Sequence, residues 1–155
     1  MADALDERLM DLALREAARC RAWGDVPIGA VLARAGEPLS AAGNQRERLG
    51  DPTAHAEILA LRAGARHWSG WRLTGSSLYV TLEPCPMCAG ALVLARVERL
   101  VYAAADPKAG FAGSLGDLVC HPRLNHRLQV VSGVRREEAT RLLREFFAGR
   151  RGQGP

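Results

Sequence analysis

At 155 residues, 48% of them hydrophobic, the chain has enough apolar material for one sizeable core and too little length for two ordinary domains. No apolar run approaches a membrane span, and the N-terminal MADALDERLM carries acidic residues where a signal peptide has its apolar core, which leads us to expect a cytoplasmic protein. The formal charge of +4 is uneven: residues 121–155 hold eight arginines against three acidic residues, a patch that suits either a solvated helix face or a polyanion such as nucleic acid.

Asp3 stands at a helix-cap position ahead of Leu5, Leu9, Leu12, Ala13, Ala17 and Cys20, whose spacing predicts an amphipathic helix to about residue 21. WGDVP ends it. Residues 26–33 and about 38–43, parted by the turn-like RAGEP, read as a hairpin. DPTAHAEILALR opens a helix over about 53–66. SSLYVTLE, residues 76–83, reads as a buried strand, and PCPMCAGALVLA switches to a helix with proline in its first turn. Strand ERLVYAA follows, then a loop from about 105 to 116 and a short helical piece around Leu118. Strand RLQVVSG and a last helix, Arg135 to Phe147, complete the order. This alternation predicts the α/β class: a three-layer α/β/α domain on a mixed, mostly parallel five-stranded sheet begun by an antiparallel hairpin. One domain should span residues 1–150, with 151–155 as a flexible tail.

Four cysteines, at 20, 85, 88 and 120, are thiols or metal ligands in a reducing compartment before they are disulfides. Cys85 and Cys88 of PCPMC lie at i and i+3, on one face of a first helical turn, and can reach a single point. Alone, the motif fits a redox couple, a metal pair or neither. His55 changes the balance, because zinc takes nitrogen and sulfur, and a His/Cys/Cys set leaves a fourth position for water. Residues two apart on a helix point about 200° apart, so His55 and Glu57 cannot both face a metal beside the helix. They can straddle one lying off its end, where helix N-termini favour thiolate and hydroxide. His67, His121, His126 or Cys120 could close the set into a structural site. Glu57 argues against closure, since only a reacting water needs a base: zinc lowers that water's pKa towards about 7, and a carboxylate in reach can shuttle its proton. No phosphate loop, nucleophile elbow or HExxH occurs.

H-A-E at 55–57 and P-C-P-M-C at 84–88 resemble the zinc-deaminase signature. VPIGAVL, GNQR, DPTAHAEILALR, LYVTLEPCPMCAGAL, ADPKAG, AGSLGDL, LNHR and EFF resemble successive segments of the bacterial tRNA-specific adenosine deaminases. The central motif is shared with cytidine, deoxycytidylate and guanine deaminases, so it marks the reaction class, and the flanking segments mark the subfamily. The resemblance implies a cytidine-deaminase-like fold, a homodimer and no organic cofactor. It implies hydrolytic conversion of the wobble adenosine of a tRNA anticodon to inosine with release of ammonia, in this family usually on an arginine tRNA with an ACG anticodon. By the same resemblance His55, Cys85 and Cys88 bind one zinc per subunit and Glu57 gives and takes protons. Asn44, Asp106, Phe147 and Arg150, with Phe146 and Arg151 beside them, would meet the RNA. Ala105, Ala109 and Phe111 depart from the family pattern in the loop expected to touch RNA, so contacts there should differ. Rival readings are a deaminase of a free base or nucleoside and a non-catalytic, zinc-stabilised RNA-binding domain.

Overall fold

Asp3 caps the first helix as its position predicts. In the computed structural model, which describes residues 2–151, its carboxylate accepts from the Asp6 amide at 2.9 Å, and its own amide donates back to Asp6. Helix α1 (Ala4–Arg19) buries Leu9, Met10, Ala13 and Ala17 along one stripe. Strands β1 (Gly29–Arg34) and β2 (Glu37–Gly43) form the predicted hairpin. Ala35 and Gly36 both take positive φ, the two-residue turn whose twist matches paired strands. The hairpin begins at Gly29 and not at residue 26, because Pro27 has no amide to give and the Ile28 amide turns back to the Val26 carbonyl at 2.9 Å.

A short helix, α2 (Arg46–Leu49), has no counterpart in the sequence reading. Four residues carry no periodic signal, and its cap comes from far away: the buried Asp25 carboxylate accepts from the Glu47 and Arg48 amides at 2.7 and 3.0 Å. Helix α3 (Ala56–Gly64) starts later than predicted, because Asp51 takes both the amide and the hydroxyl of Thr53 and locks a turn ahead of it. Strand β3 (Ser76–Leu82), helix α4 (Pro86–Leu94), strand β4 (Arg99–Ala104), strand β5 (Gln129–Ser132) and helix α5 (Arg136–Arg151) follow in order. Around Leu118 the chain makes turns instead of a helix: the Leu118 amide donates to the Phe111 carbonyl at 3.0 Å, and Pro122 follows too closely for a helix to continue. Helix α5 continues past Phe147 to Arg151, and residues 152–155 of the expected tail lie outside the described residues.

The five strands form one mixed sheet in the order β2-β1-β3-β4-β5. β1 runs antiparallel to both neighbours, and β3, β4 and β5 run parallel to one another. Alternate residues point to opposite cores, as the strand period requires. Leu32, Leu78, Val80 and Leu100 meet α3 and α4 on one face; Val31, Tyr79, Val101 and Ala103 meet α1 and α5 on the other. At Gly29 a Cβ would overlap the Ala13 carbonyl, so α1 rests directly on the β1 backbone.

One buried polar cluster ties α1 to this sheet. Asp6 receives the Arg99 guanidinium on both oxygens, at 2.6 and 2.8 Å, and the Tyr79 hydroxyl at 2.9 Å. Burial, reinforced by Asp6, pushes the Tyr79 phenol up to about 12. No helix among the described residues is long and apolar enough to cross a membrane.

Candidate active site

Two helix N-termini meet beside the C-terminal ends of β3 and β4. His55 is the N-cap of α3 and Cys85 the N-cap of α4, both with extended backbone, and neither side chain caps its helix. The side chains turn to each other instead. His55 Nδ1 stands 3.6 Å from Cys85 Sγ and 3.5 Å from Cys88 Sγ. One ring nitrogen has a single in-plane lone pair or proton and cannot serve two sulfurs well, whereas a cation between the three serves all of them. For tetrahedral zinc with ordinary Zn–S and Zn–N bonds, the sulfur–nitrogen edge comes to roughly 3.6 Å. The observed separations therefore fit zinc, and all three ligand atoms lie within 4.8 Å of one another.

Cys85 is pulled down to about 4, first by its hydrogen bond with Cys88 and then, against burial, by His55. Cys88 is pushed up by the same sulfur pair and by burial. Glu57, in the first turn of α3, is buried, and burial lifts its carboxyl to about 7. His55, as the N-cap, and Glu57, in the first turn, both line one cavity at this helix end. The four alternative ligands are elsewhere: His67, Cys120, His121 and His126 do not join the group among the described residues. His126 instead bonds the Val97 carbonyl at 2.7 Å, and Cys120 donates to the Leu128 carbonyl. Three protein ligands leave the fourth position open.

His55, Glu57 and Cys85 open into a cavity of about 410 Å³. Of the residues expected to meet RNA, Asn44, Asp106 and Phe147 line it. Asn44 is buried, its amide donating to the Val26 carbonyl and accepting from the Arg46 amide, both at 3.2 Å. Each half of that amide keeps one further hydrogen-bonding capacity. Asp106 folds its own loop, accepting from the Lys108 and Ala109 amides. Phe147 stays 43% exposed at the rim, edge-on to Phe146. Arg150 is not part of the lining and stands 5.5 Å over the Phe146 ring.

Arg46 and Lys108 also line the cavity. Both lie inside quoted motifs, GNQR and ADPKAG, yet nothing in spacing separates them from solvated surface charge. Glu83 is likewise in the lining and was not singled out. Of the departures, Ala105 and Ala109 face the cavity, whereas the Phe111 ring packs on the core and over Gly116.

The three-layer fold with a His/Cys/Cys set and a buried glutamate at paired helix N-termini defines the zinc-dependent deaminases. Residues 3–104 match the cytidine and deoxycytidylate deaminase zinc-binding region. A tRNA-specific adenosine deaminase of Bacillus subtilis is 49% identical over 142 residues, covering 92% of this chain and 88% of the relative. One from Haemophilus influenzae is 46% identical over 147 residues, covering 94% and 85%. A solved structure from work on A-to-I editing by tRNA:A34 deaminases superposes with a TM-score of 0.84 at 43% identity, covering 88% of this chain and 99% of that one. The guanine deaminase of Nitrosomonas europaea gives 0.80 at 25% identity, covering 96% and 86%. The chain belongs to the cytidine and deoxycytidylate deaminase family and, within it, to the tRNA-specific adenosine deaminases.

Proposed function

We propose that this chain is a single-domain enzyme, over residues 1–150, that converts the wobble adenosine of a tRNA anticodon to inosine by hydrolysis, releasing ammonia. The observation that carries the reading is the His55/Cys85/Cys88 set, two members of which share a cavity with the buried Glu57. His55, Cys85 and Cys88 would hold one zinc, which when bound supplies a Lewis acid that lowers the pKa of a water towards about 7. Glu57 is the proton carrier. It takes one proton as the water oxygen attacks C6 and gives it to N1; it then moves the remaining hydroxyl proton to the amino nitrogen, and ammonia leaves. A carboxylate held in a buried site within reach of the reacting water can serve as base and then as acid. The buried setting keeps bulk water from intercepting either transfer.

Asn44 would hydrogen-bond the flipped base, and Asp106 the nucleotides beside it. At the rim, Phe147 would stack a neighbouring base, and Arg150, on the last turns of α5, would meet phosphate. The arginines of the C-terminal segment then have a polyanionic partner. A homodimer belongs to the same reading. Helix α4, PMCAGALVL, has no charged, hydroxyl or amide side chain, yet Met87 and Leu94 are 36% and 69% exposed at i and i+7 on one face, a stripe that a second copy would cover. A tRNA substrate places the enzyme in the cytoplasm.

The test is a substrate panel: an anticodon stem-loop with wobble adenosine, free adenosine, cytidine and guanine, each assayed for ammonia and deaminated product. Inosine in the stem-loop, with slow or no turnover of the small substrates, is the expected result. Turnover of guanine or cytidine without the RNA would overturn the reading in favour of a free-base or nucleoside enzyme, and zinc-loaded protein inert on all four would make it a binding module.

A further inference from the structure

Glu83 lies two residues before Cys85 and is buried. Its partners belong to one loop. Oε1 accepts from the Asp106 amide at 3.0 Å and from the Ser114 hydroxyl; Oε2 accepts from the Ala112 and Ser114 amides, each at 3.0 Å. The loop closes tightly around this carboxylate. The Phe111 amide donates to the Pro84 carbonyl at 2.8 Å, and Gly110 passes so near that a Cβ would overlap the Glu83 carboxylate. A buried carboxylate persists only when its oxygens are hydrogen-bonded throughout, and here four donors come from residues 106–114. The same loop gives Asp106, Pro107, Lys108 and Ala109 to the cavity wall.

We propose that Glu83 is a positioning residue for the substrate: its carboxylate holds the 106–109 wall against the turn between β3 and α4 that leads to Cys85, and so fixes the cavity into which RNA nucleotides fit. The inference rests on the RNA reading above. Glutamine at 83 would turn an amide donor towards backbone N–H donors, and one arm of the loop would have to leave. A role confined to folding would lower stability without changing KM for RNA.

The experiment compares zinc-loaded wild type with Glu83→Gln, Gly110→Ala and Ser114→Ala. It reads KM and kcat on the anticodon stem-loop, zinc per chain, and amide hydrogen exchange across residues 105–114. Glu83→Gln should raise KM about tenfold or more while keeping its zinc and a kcat within about threefold. Gly110→Ala, which keeps the carboxylate but displaces the loop, should do the same, and Ser114→Ala should shift KM less in the same direction. Exchange should quicken in all three. If Glu83→Gln does not fold, the other two variants decide. Faster exchange with unchanged KM, or a loss confined to zinc content or melting, would overturn the proposal. The two readings separate: wild type inert on RNA but with the exchange response overturns the RNA reading alone, and unchanged exchange in the variants overturns the role of Glu83 alone.

Discussion

Replacing Asp6 by asparagine removes one charge and almost no volume from the junction of α1 with β3 and β4. In the wild type both Asp6 oxygens face the Arg99 guanidinium, and one also receives the Tyr79 hydroxyl. Asparagine keeps one acceptor and presents an amide donor to a guanidinium that offers only donors. Breaking a buried pair from one side costs about 3–5 kcal/mol. Arg99 keeps 23% of its side chain in solvent, where water recovers part of this, so about 2–3 kcal/mol is expected. In a chain of this size that lowers Tm by roughly 4–12 °C. The effect has a pH signature. The Arg99 hydrogen bonds hold the Asp6 carboxyl below its ordinary value against burial, which pushes it up. A depressed carboxyl pKa means that the folded state binds the proton less readily than the unfolded one. Its stabilisation is complete above the unfolded value of about 3.9 and is lost as pH falls through the folded value. Thermal melts followed by circular dichroism at pH 7 and in stepwise acid should show the gap between wild type and Asp6→Asn closing in acid. Equal Tm values at pH 7, or a gap that ignores pH, would refute the reasoning.

Cys85→Ser and His55→Ala should purify with far less than one zinc per chain by elemental analysis. Chelation of wild type should lower its Tm, and zinc should restore it, because a ligand bound only by the folded state stabilises it by mass action. Phe147→Ala should raise KM on the stem-loop by about five- to a hundredfold, the worth of one stacked base, with zinc content unchanged. Wild type should elute as the proposed dimer on size-exclusion chromatography and Leu94→Glu as a monomer, and equal elution volumes would refute the α4 stripe as the interface.

The metal centre was legible because its constraints are local. Cys85 and Cys88 share a helical face, and the divergence of His55 from Glu57 left room for both at a metal only off the helix end. Order and class of the main elements were legible too, through the apolar runs of β1, β3 and β4, the turn between β1 and β2, and the stripe of α1. What escaped depends on distant partners. Asp25 caps α2 across 22 positions, and Glu83 organises a loop 23 to 31 positions away. No local pattern announces either contact. The start of α3 slipped because an Asx turn at Asp51 competes with helix, and the helical piece at Leu118 failed because Pro122 stands too close behind it. That Arg150 stands over Phe146, outside the cavity lining, is set by the packing of α5 and has no local signal in the sequence.

The most direct test of the account is the Glu57→Gln variant, assayed for zinc and for inosine in the same preparation. Glutamine keeps the volume of this buried side chain and removes its capacity to carry a proton. The account predicts wild-type zinc content and a fall in stem-loop deamination of about 10²–10⁴-fold. A zinc-loaded variant that forms inosine at close to the wild-type rate would contradict it.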